Sequence, residues 1–172
     1  APDHKSDREN TKWLNAQYIR QADDTRLAAL AVPFLKADGC DPAAGPDPVS
    51  VCGLLKDRVS TIEELADAAV YFYRQLHPSD DLRAQHYAAD TLLAMKALRG
   101  KLATVDWNRP ALSAAIKEVI TGHALKMPKL AMPLRVMLTG TPQSPSIDAV
   151  LELIGREEVL RRMDSELSRY PG

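Results

Sequence analysis

Residues 126–155 read KMPKLAMPLRVMLTGTPQSPSIDAVLELIG, and the punctuation of this stretch decides the fold. The run 129–138 has the period of a helix, with Leu134, Val136 and Leu138 as core positions, and Gly140 supplies its stop. A Pro-rich connector follows. Ser144-Pro145 then reads as a cap and first-turn pair for a second helix to Ile154, with Gly155 as the stop. The same sequence of cap, 3.6-residue period and stop recurs along the chain. No convincing alternation of apolar and polar residues interrupts it. The expected fold class is all-α, a helical bundle in two subdomains without a sheet of significance.

The stretch is also one-signed. From Val119 to Ile147 there is no Asp or Glu, whereas Lys126, Lys129 and Arg135 fall inside that window. A surface that excludes carboxylates and keeps cations suits an anionic partner, and RNA is the commonest large one. The net charge of -1 over 172 residues argues against a generic polyanion binder, which would be basic throughout. Charge is instead divided: residues 1–80 carry 9 Lys/Arg against 13 Asp/Glu, and residues 81–172 carry 13 against 10. That division leaves room for a shaped RNA reader with a local basic face.

Towards the amino terminus, Ser6-x-x-Glu9 has capping-box form and opens a helix over about 6–20, with Trp13, Leu14 and Tyr18 turned inward. Asp24 starts a second helix with Leu27, Leu30, Ala31 and Phe34 at helical spacing. Pro33 should kink or divide it, and Gly39 ends it. The run DGCDPAAGPDP is a loop. Asp47-Pro48 opens a short helix that stops near 57–59, and Thr61-x-x-Glu64 is a further capping box for a helix carrying Ile62, Leu65, Ala69 and Phe72. His77-Pro78-Ser79 breaks that helix, which places a domain boundary at residue 80: 1–80 and 81–172. A long helix over 80–102 follows, with Leu82, Ala89, Leu92 and Leu93 along one side and Lys96, Arg99 and Lys101 in a second carboxylate-free window. Trp107 precedes a helix over 110–121 stopped by Gly122, and a last helix spans 156–167.

The chain is long enough to bury a core, and no apolar run approaches the ~20 residues that span a bilayer. The first ten residues, APDHKSDREN, are polar and lack the apolar run of a signal peptide. With no initiator Met, the sequence reads as a processed chain or a piece of a longer one. Cys40 and Cys52 have no CxxC spacing and read as two reduced thiols, which points to the cytoplasm. No metal cluster, Gly-rich phosphate loop or G-x-S-x-G elbow is present, and His4, His77, His86 and His123 are scattered. The expectation is no catalytic residue, no metal and no cofactor in this chain. Glu63-Glu64 and Glu157-Glu158 sit at helix starts, where the dipole favours them. Tyr71, Phe72 and Tyr73 suggest a stacking platform, but consecutive helical residues point apart, so at least one is buried.

Three anchors in order carry a family resemblance. Trp13-Leu14-Asn15 with Tyr18-Ile19-Arg20 resembles a W-x-N-x-x-Y-I-R run. Arg58-x-x-Thr61-Ile62-x-Glu64 resembles an R-x-x-T-L-x-E pattern. Pro133-Leu134-Arg135, Leu138-Thr139-Gly140, Ser144-Pro145, Leu153-Ile154-Gly155 and Arg161-Arg162 resemble the signature P-L-R-x-A-L-T-G … S/T-P … L-L-G … R. Together they resemble the carboxy-terminal, helical anticodon-binding region of bacterial glutamyl-tRNA synthetases, over roughly residues 10–165. Met137, Ile147 and Ile154 depart mildly from that pattern. Lys126-Met127-Pro128-Lys129 looks like part of the KMSKS loop of class I synthetases, but the HIGH motif and parallel strands that loop works with are missing, and the match is chance.

The resemblance implies an all-α module that grips the anticodon arm of glutamate tRNA, tRNA(Glu). It also implies a monomer in the cytoplasm that touches no membrane. The ligase reaction, with ATP and Mg, would belong to an amino-terminal catalytic domain absent from this chain. At the family's positions, Arg58 reads the third anticodon base and favours cytosine, since a planar guanidinium donates to the O2 and N3 of an unstacked cytosine. Arg135 is the second base reader, and Ser144, Pro145 and Ile147 form the wall on which a splayed base rests. Lys126 and Lys129 are phosphate contacts. Without the family, Arg58 reads as a charge at a helix carboxyl end and Arg135 as a solvated residue on a short helix. The alternative function is a helical interaction module whose groove takes a partner helix.

Overall fold

The computed structural model describes residues 15–172, in which ten α-helices and a 3-10 turn are joined by irregular segments and no strand occurs. The order is α1 (15–21), α2 (Asp24–Ala37), α3 (Pro48–Leu55), the 3-10 turn Lys56–Arg58, α4 (Ile62–Tyr73), α5 (Asp80–His86), α6 (Ala89–Leu102), α7 (Arg109–Gly122), α8 (Met127–Thr139), α9 (Ile147–Ile154) and α10 (Arg156–Leu167). The chain divides into two compact units, one up to Arg74 and one from Gln75 to Gly172. The capping box at Ser6 and Glu9, and the residues Trp13 and Leu14, lie outside the described residues.

In the first unit α2, α3 and α4 pack on one another. Asp23 caps α2 through the Thr25 amide, and Asp47 caps α3 through the Val49 amide, with Pro48 in the first turn. The core is aliphatic with an aromatic end: Leu27, Leu35, Leu55, Leu65 and Phe72 are buried. Of the kink or division expected at Pro33, division does not occur, since Pro33 lies inside α2. Phe34 is 42% exposed, and its neighbour Leu35 takes the core position. Cys40 and Cys52 are buried free thiols, and burial pushes the Cys52 thiol up to about 11.

The second unit gathers α6, α7, α8 and α10 around Met95, Leu98, Leu102, Leu112, Leu130 and Leu134, all fully buried. The expected single helix over 80–102 is two helices. Tyr87 breaks it, with its backbone at φ -99 and ψ 65 and its hydroxyl donating to Glu166 at 3.1 Å. The break shifts the helical phase. The face of α6 that packs inward is Thr91, Ala94, Met95, Leu98 and Leu102, while Leu93 is 60% exposed. Likewise Gly122 lies within α7, and Ala124, at φ 53, makes the turn that was expected of the glycine.

Gly140 is where left-handed backbone is obligatory. It caps α8 at φ 78, and a Cβ there would lie 2.8 Å from the Leu76 carbonyl oxygen and 3.1 Å from the Leu76 Cβ. Gly140→Ala is expected to destabilise the chain by ~2 kcal/mol, from the left-handed conformation and the contact together. Urea unfolding of the two proteins measures this, and an unchanged midpoint contradicts it.

Candidate nucleic-acid interface

Arg58 ends the 3-10 turn, and Val59 after it is extended. Two local devices hold that turn. Lys56 Nζ pairs with Asp24 at 2.8 Å. On the other side, Thr61 Oγ1 accepts from the Glu64 amide at 3.0 Å, and the Glu64 carboxylate accepts from the Ser60 amide at 2.9 Å. The threonine and glutamate of Arg58-x-x-Thr61-Ile62-x-Glu64 are therefore one capping box. Its effect is to fix the loop on which Arg58 stands exposed. Tyr71 and Phe72 are buried in α4, and burial pushes the Tyr71 phenol up to about 12 against the opposing pull of Arg58. Tyr73 donates to the Pro46 carbonyl at 3.0 Å. No stacking platform is available at 71–73.

The second unit builds its site at the carboxyl end of α8. The Thr139 hydroxyl lies 2.7 Å from the Arg135 carbonyl, and it accepts from the Thr141 amide at 3.3 Å. Gly140 then reverses the chain, and Arg162, 1% exposed, reaches from α10 to donate to the Leu138 carbonyl at 2.9 Å. That bond satisfies an end-of-helix oxygen with a cation, which the helix dipole also favours. Glu158 orients Arg162 by accepting from its Nε at 2.9 Å. Hydrogen bonds from Arg161 and then Arg162 hold the Glu158 carboxyl down at about 2, against the opposing effect of burial.

On this braced turn Arg135 and Ser144 come together: Arg135 Nε donates to Ser144 Oγ at 3.0 Å. Ser144 in turn donates to the Pro145 carbonyl at 2.8 Å. This corrects the expected cap. The residue before α9 is Ser146, and Ser144 is engaged with Arg135 instead. Pro145 is buried, and Ile147, 8% exposed, presents its edge to a cleft.

That cleft, of about 310 Å³, is lined by Ile116, Met127, Met132, Arg135, Ile147 and Asp148 among others. Asp148 is the acid that ends the carboxylate-free window. Arg109 donates to it at 3.3 Å and to Ser146 at 3.2 Å. Burial pushes the Asp148 carboxyl up, but hydrogen bonds from Ser146, Arg109 and the Ala149 amide prevail and hold it below the usual carboxylate range. The cleft thus sets a donor, Arg135, and an acceptor, Asp148, among apolar walls. A phosphate would be repelled by Asp148, whereas the edge of a base has both acceptors and amino donors to meet the pair. Sequence reading missed Asp148, Arg109 and the methionines. The usable signal was the helix period, since Met127, Ala131 and Arg135 recur at four-residue steps along one face of α8.

The other cations are placed as follows. Lys126 and Lys129 are exposed at the start of α8. Lys96, Arg99 and Lys101 lie at the surface against partners of this same chain: the carbonyls of Tyr170 and Gly172, Asp164, and Glu118. That second carboxylate-free window is therefore a set of tethers and not an open basic face.

A family model described as an anticodon binding domain matches residues 26–167. The chain belongs to the anticodon binding domain family. Over 164 residues this anticodon binding domain is 56% identical to a glutamate–tRNA ligase of Nitrosospira multiformis, covering 94% of this chain and 35% of that protein. It is also 56% identical over 159 residues to a glutamate–tRNA ligase of Thiobacillus denitrificans, covering 92% of this chain and 34% of that protein. The chain spans about a third of the length of the curated relatives it matches. A crystal structure of a glutamate tRNA ligase from Elizabethkingia meningosepticum, in complex with its amino acid, superposes with a TM-score of 0.83 at 20% identity, over 93% of this chain and 32% of that one. This likeness shows a shared all-α fold.

Proposed function

We propose that this anticodon binding domain grips the anticodon arm of glutamate tRNA and reads two of its bases, one at Arg58 and one at Arg135, as part of a glutamate–tRNA ligase. The ligase chemistry, with ATP and magnesium, belongs to the catalytic part of such a protein. The domain works as a monomer in the cytoplasm. The observation that carries the reading is that Arg135, bonded to Ser144, lines a cleft that Asp148 also lines. It supports recognition of a base edge over capture of a phosphate. Lys126 and Lys129 at the start of α8 serve the RNA backbone, which positions without specifying. A groove for a partner helix would need large apolar side chains along one exposed line. The large exposed ones among the described residues, Tyr18, Phe34, Leu93 and Met127, belong to four different helices.

The test of the Arg58 assignment compares the affinity of the chain for glutamate tRNA and for a variant with guanine at the third anticodon position. A guanidinium fork meets acceptors on cytosine but the N1 and N2 donors on guanine, so the variant is expected to bind at least about tenfold more weakly. Arg58→Ala should bring that ratio close to unity. Equal binding of the two RNAs by the native chain sinks the assignment, and weak binding of both does not, because only the ratio reports on the base.

A further inference from the structure

The five methionines of the chain fall into two classes. Met95, Met137 and Met163 are fully buried. Met127, 41% exposed, and Met132, half-buried, both line the cleft at Arg135. Met132 also lines a second cleft, of about 260 Å³, beside Gln85, Thr91 and Lys129. Its thioether therefore meets small solutes from two sides. The sulfur is also specifically placed. Arg135, three residues further along α8, points Nη1 at Met132 Sδ at 3.7 Å while its Nε donates to Ser144. A thioether is a weak acceptor, so the sulfur steadies that arm of the guanidinium without competing strongly for it. The other sulfur nucleophiles are withdrawn. Cys40 and Cys52 are buried, and burial raises both thiols, Cys52 to about 11, which leaves little thiolate at neutral pH.

We propose that Met132 is an oxidation site through which hydrogen peroxide controls the Arg135 cleft. A lone pair on Sδ attacks one peroxide oxygen, the O–O bond breaks and an S–O bond forms. The sulfur gives up two electrons. The departing hydroxide takes the proton carried by the transferred oxygen and leaves as water. The product is a sulfoxide, polar where the thioether was apolar. The guanidinium nitrogen already stands 3.7 Å from the sulfur, so a turn about the Cγ–Sδ bond brings the new oxygen within hydrogen-bonding distance of it. Arg135 is then held by its own helix, and an incoming base edge has to compete for the fork. Methionine sulfoxide reductases undo the step, which makes the control reversible. Met127 is the internal control: it is the more exposed thioether, but it stands eight residues before Arg135, about 12 Å along the helix axis. The proposal rests on the reading of the Arg135 cleft as a base site.

The test treats the full chain with hydrogen peroxide and locates the oxidised methionines by peptide mass spectrometry. Binding of the glutamate tRNA anticodon arm is measured before and after treatment. Met132→Leu and Met127→Leu, both volume-conserving changes, are handled in the same way, each judged by its own ratio of dissociation constants. Sulfoxide is expected at Met127 and Met132 and not at Met95, Met137 or Met163. Treatment should weaken binding about tenfold in the native chain and in Met127→Leu, and by no more than about twofold in Met132→Leu. Sulfoxide reductases for both epimers should restore the native affinity. Met132→Gln, which puts a fixed acceptor oxygen near the same guanidinium, should bind without treatment as weakly as the treated native chain, at an unchanged melting temperature. Met132 left intact while Met127 is fully converted overturns the proposal, and so does an equal loss in Met132→Leu. Full conversion of Met132 with unchanged affinity overturns it too, and leaves the base site standing. An untreated native chain that binds the arm no better than a scrambled hairpin removes the base site itself, and the proposal falls with it.

Discussion

Glu166→Ala is expected to lower the unfolding free energy by about 3–5 kcal/mol, the cost of leaving one partner of a buried ion pair uncompensated. Glu166 is fully buried and accepts from Arg83 Nε at 3.0 Å, Arg83 Nη2 at 3.1 Å and the Tyr87 hydroxyl at 3.1 Å. Arg83 is itself 8% exposed, and its other carboxylate partner, Asp80, has a side chain 95% exposed and offers only a screened contact. His77 at 3.9 Å and Arg169 at 3.6 Å complete the ring of groups around the carboxylate. Removing the carboxylate therefore strands a guanidinium and a phenol away from water, where domains of this size have only ~5–15 kcal/mol in hand. Urea denaturation of Glu166→Ala beside the double variant Arg83→Met/Glu166→Leu separates the two contributions. The double variant should recover the guanidinium's share of the loss, because an apolar pair of similar volume leaves no charge stranded, while the share of the Tyr87 hydroxyl remains lost. A single variant with the native midpoint would show that the pair is screened by water. The loss has a functional side as well. Glu166 lies one turn beyond Arg162 on the buried face of α10, so the pair with Arg83 also fixes the helix from which Arg162 caps α8.

Arg135→Ala is expected to weaken binding of the glutamate tRNA anticodon arm by ~1–3 kcal/mol, the range for losing one base-edge contact. Stability should change little, since the side chain is only half-buried and its helix keeps Leu134 and Leu138 fully buried. The bond to Ser144 sets the plane of the guanidinium, so the fork is oriented before RNA arrives. Lysine has no plane to orient, and Arg135→Lys should recover less than half of the lost binding free energy. Ser144→Ala, which leaves the charge but frees its orientation, should fall between native and Arg135→Ala. Dissociation constants measured for the four proteins at one salt concentration decide this. Equal affinities across the set would move the reading of the base away from α8.

Local chemistry was legible in the sequence where it is decided locally. Asp47-Pro48, the Thr61 capping box, the Gly140 and Gly155 stops and the span of α10 need only neighbours within four residues, and they stand in the structure as read. What escaped was imposed from a distance. The helix over 80–102 breaks at Tyr87, whose hydroxyl donates to Glu166, 79 residues later, and the inward face of α6 beyond the break leaves out Leu93. Glu166 itself sits in the run DSELSRY, which reads as a solvated helix end and not as the most buried carboxylate of its unit. At the candidate site, Arg58 and Arg135 were proposed from the motifs around them. Asp148 was not, because along the chain it appears outside the acid-free window, and only the packing of α9 on α7 and α8 brings it into the cleft that Arg135 lines.

The paired cations of α6 have one more consequence. Lys96, Arg99 and Lys101 hold the chain's own carbonyls and carboxylates, so each contributes less to the attraction of a polyanion than an unpaired cation does. The positive charge of the α8 stretch is left to Lys126, Lys129 and Arg135. On the proposed reading, a domain whose α6 cations are partly neutralised by its own acids gains less from any passing RNA strand and relies more on contacts to bases splayed from a loop.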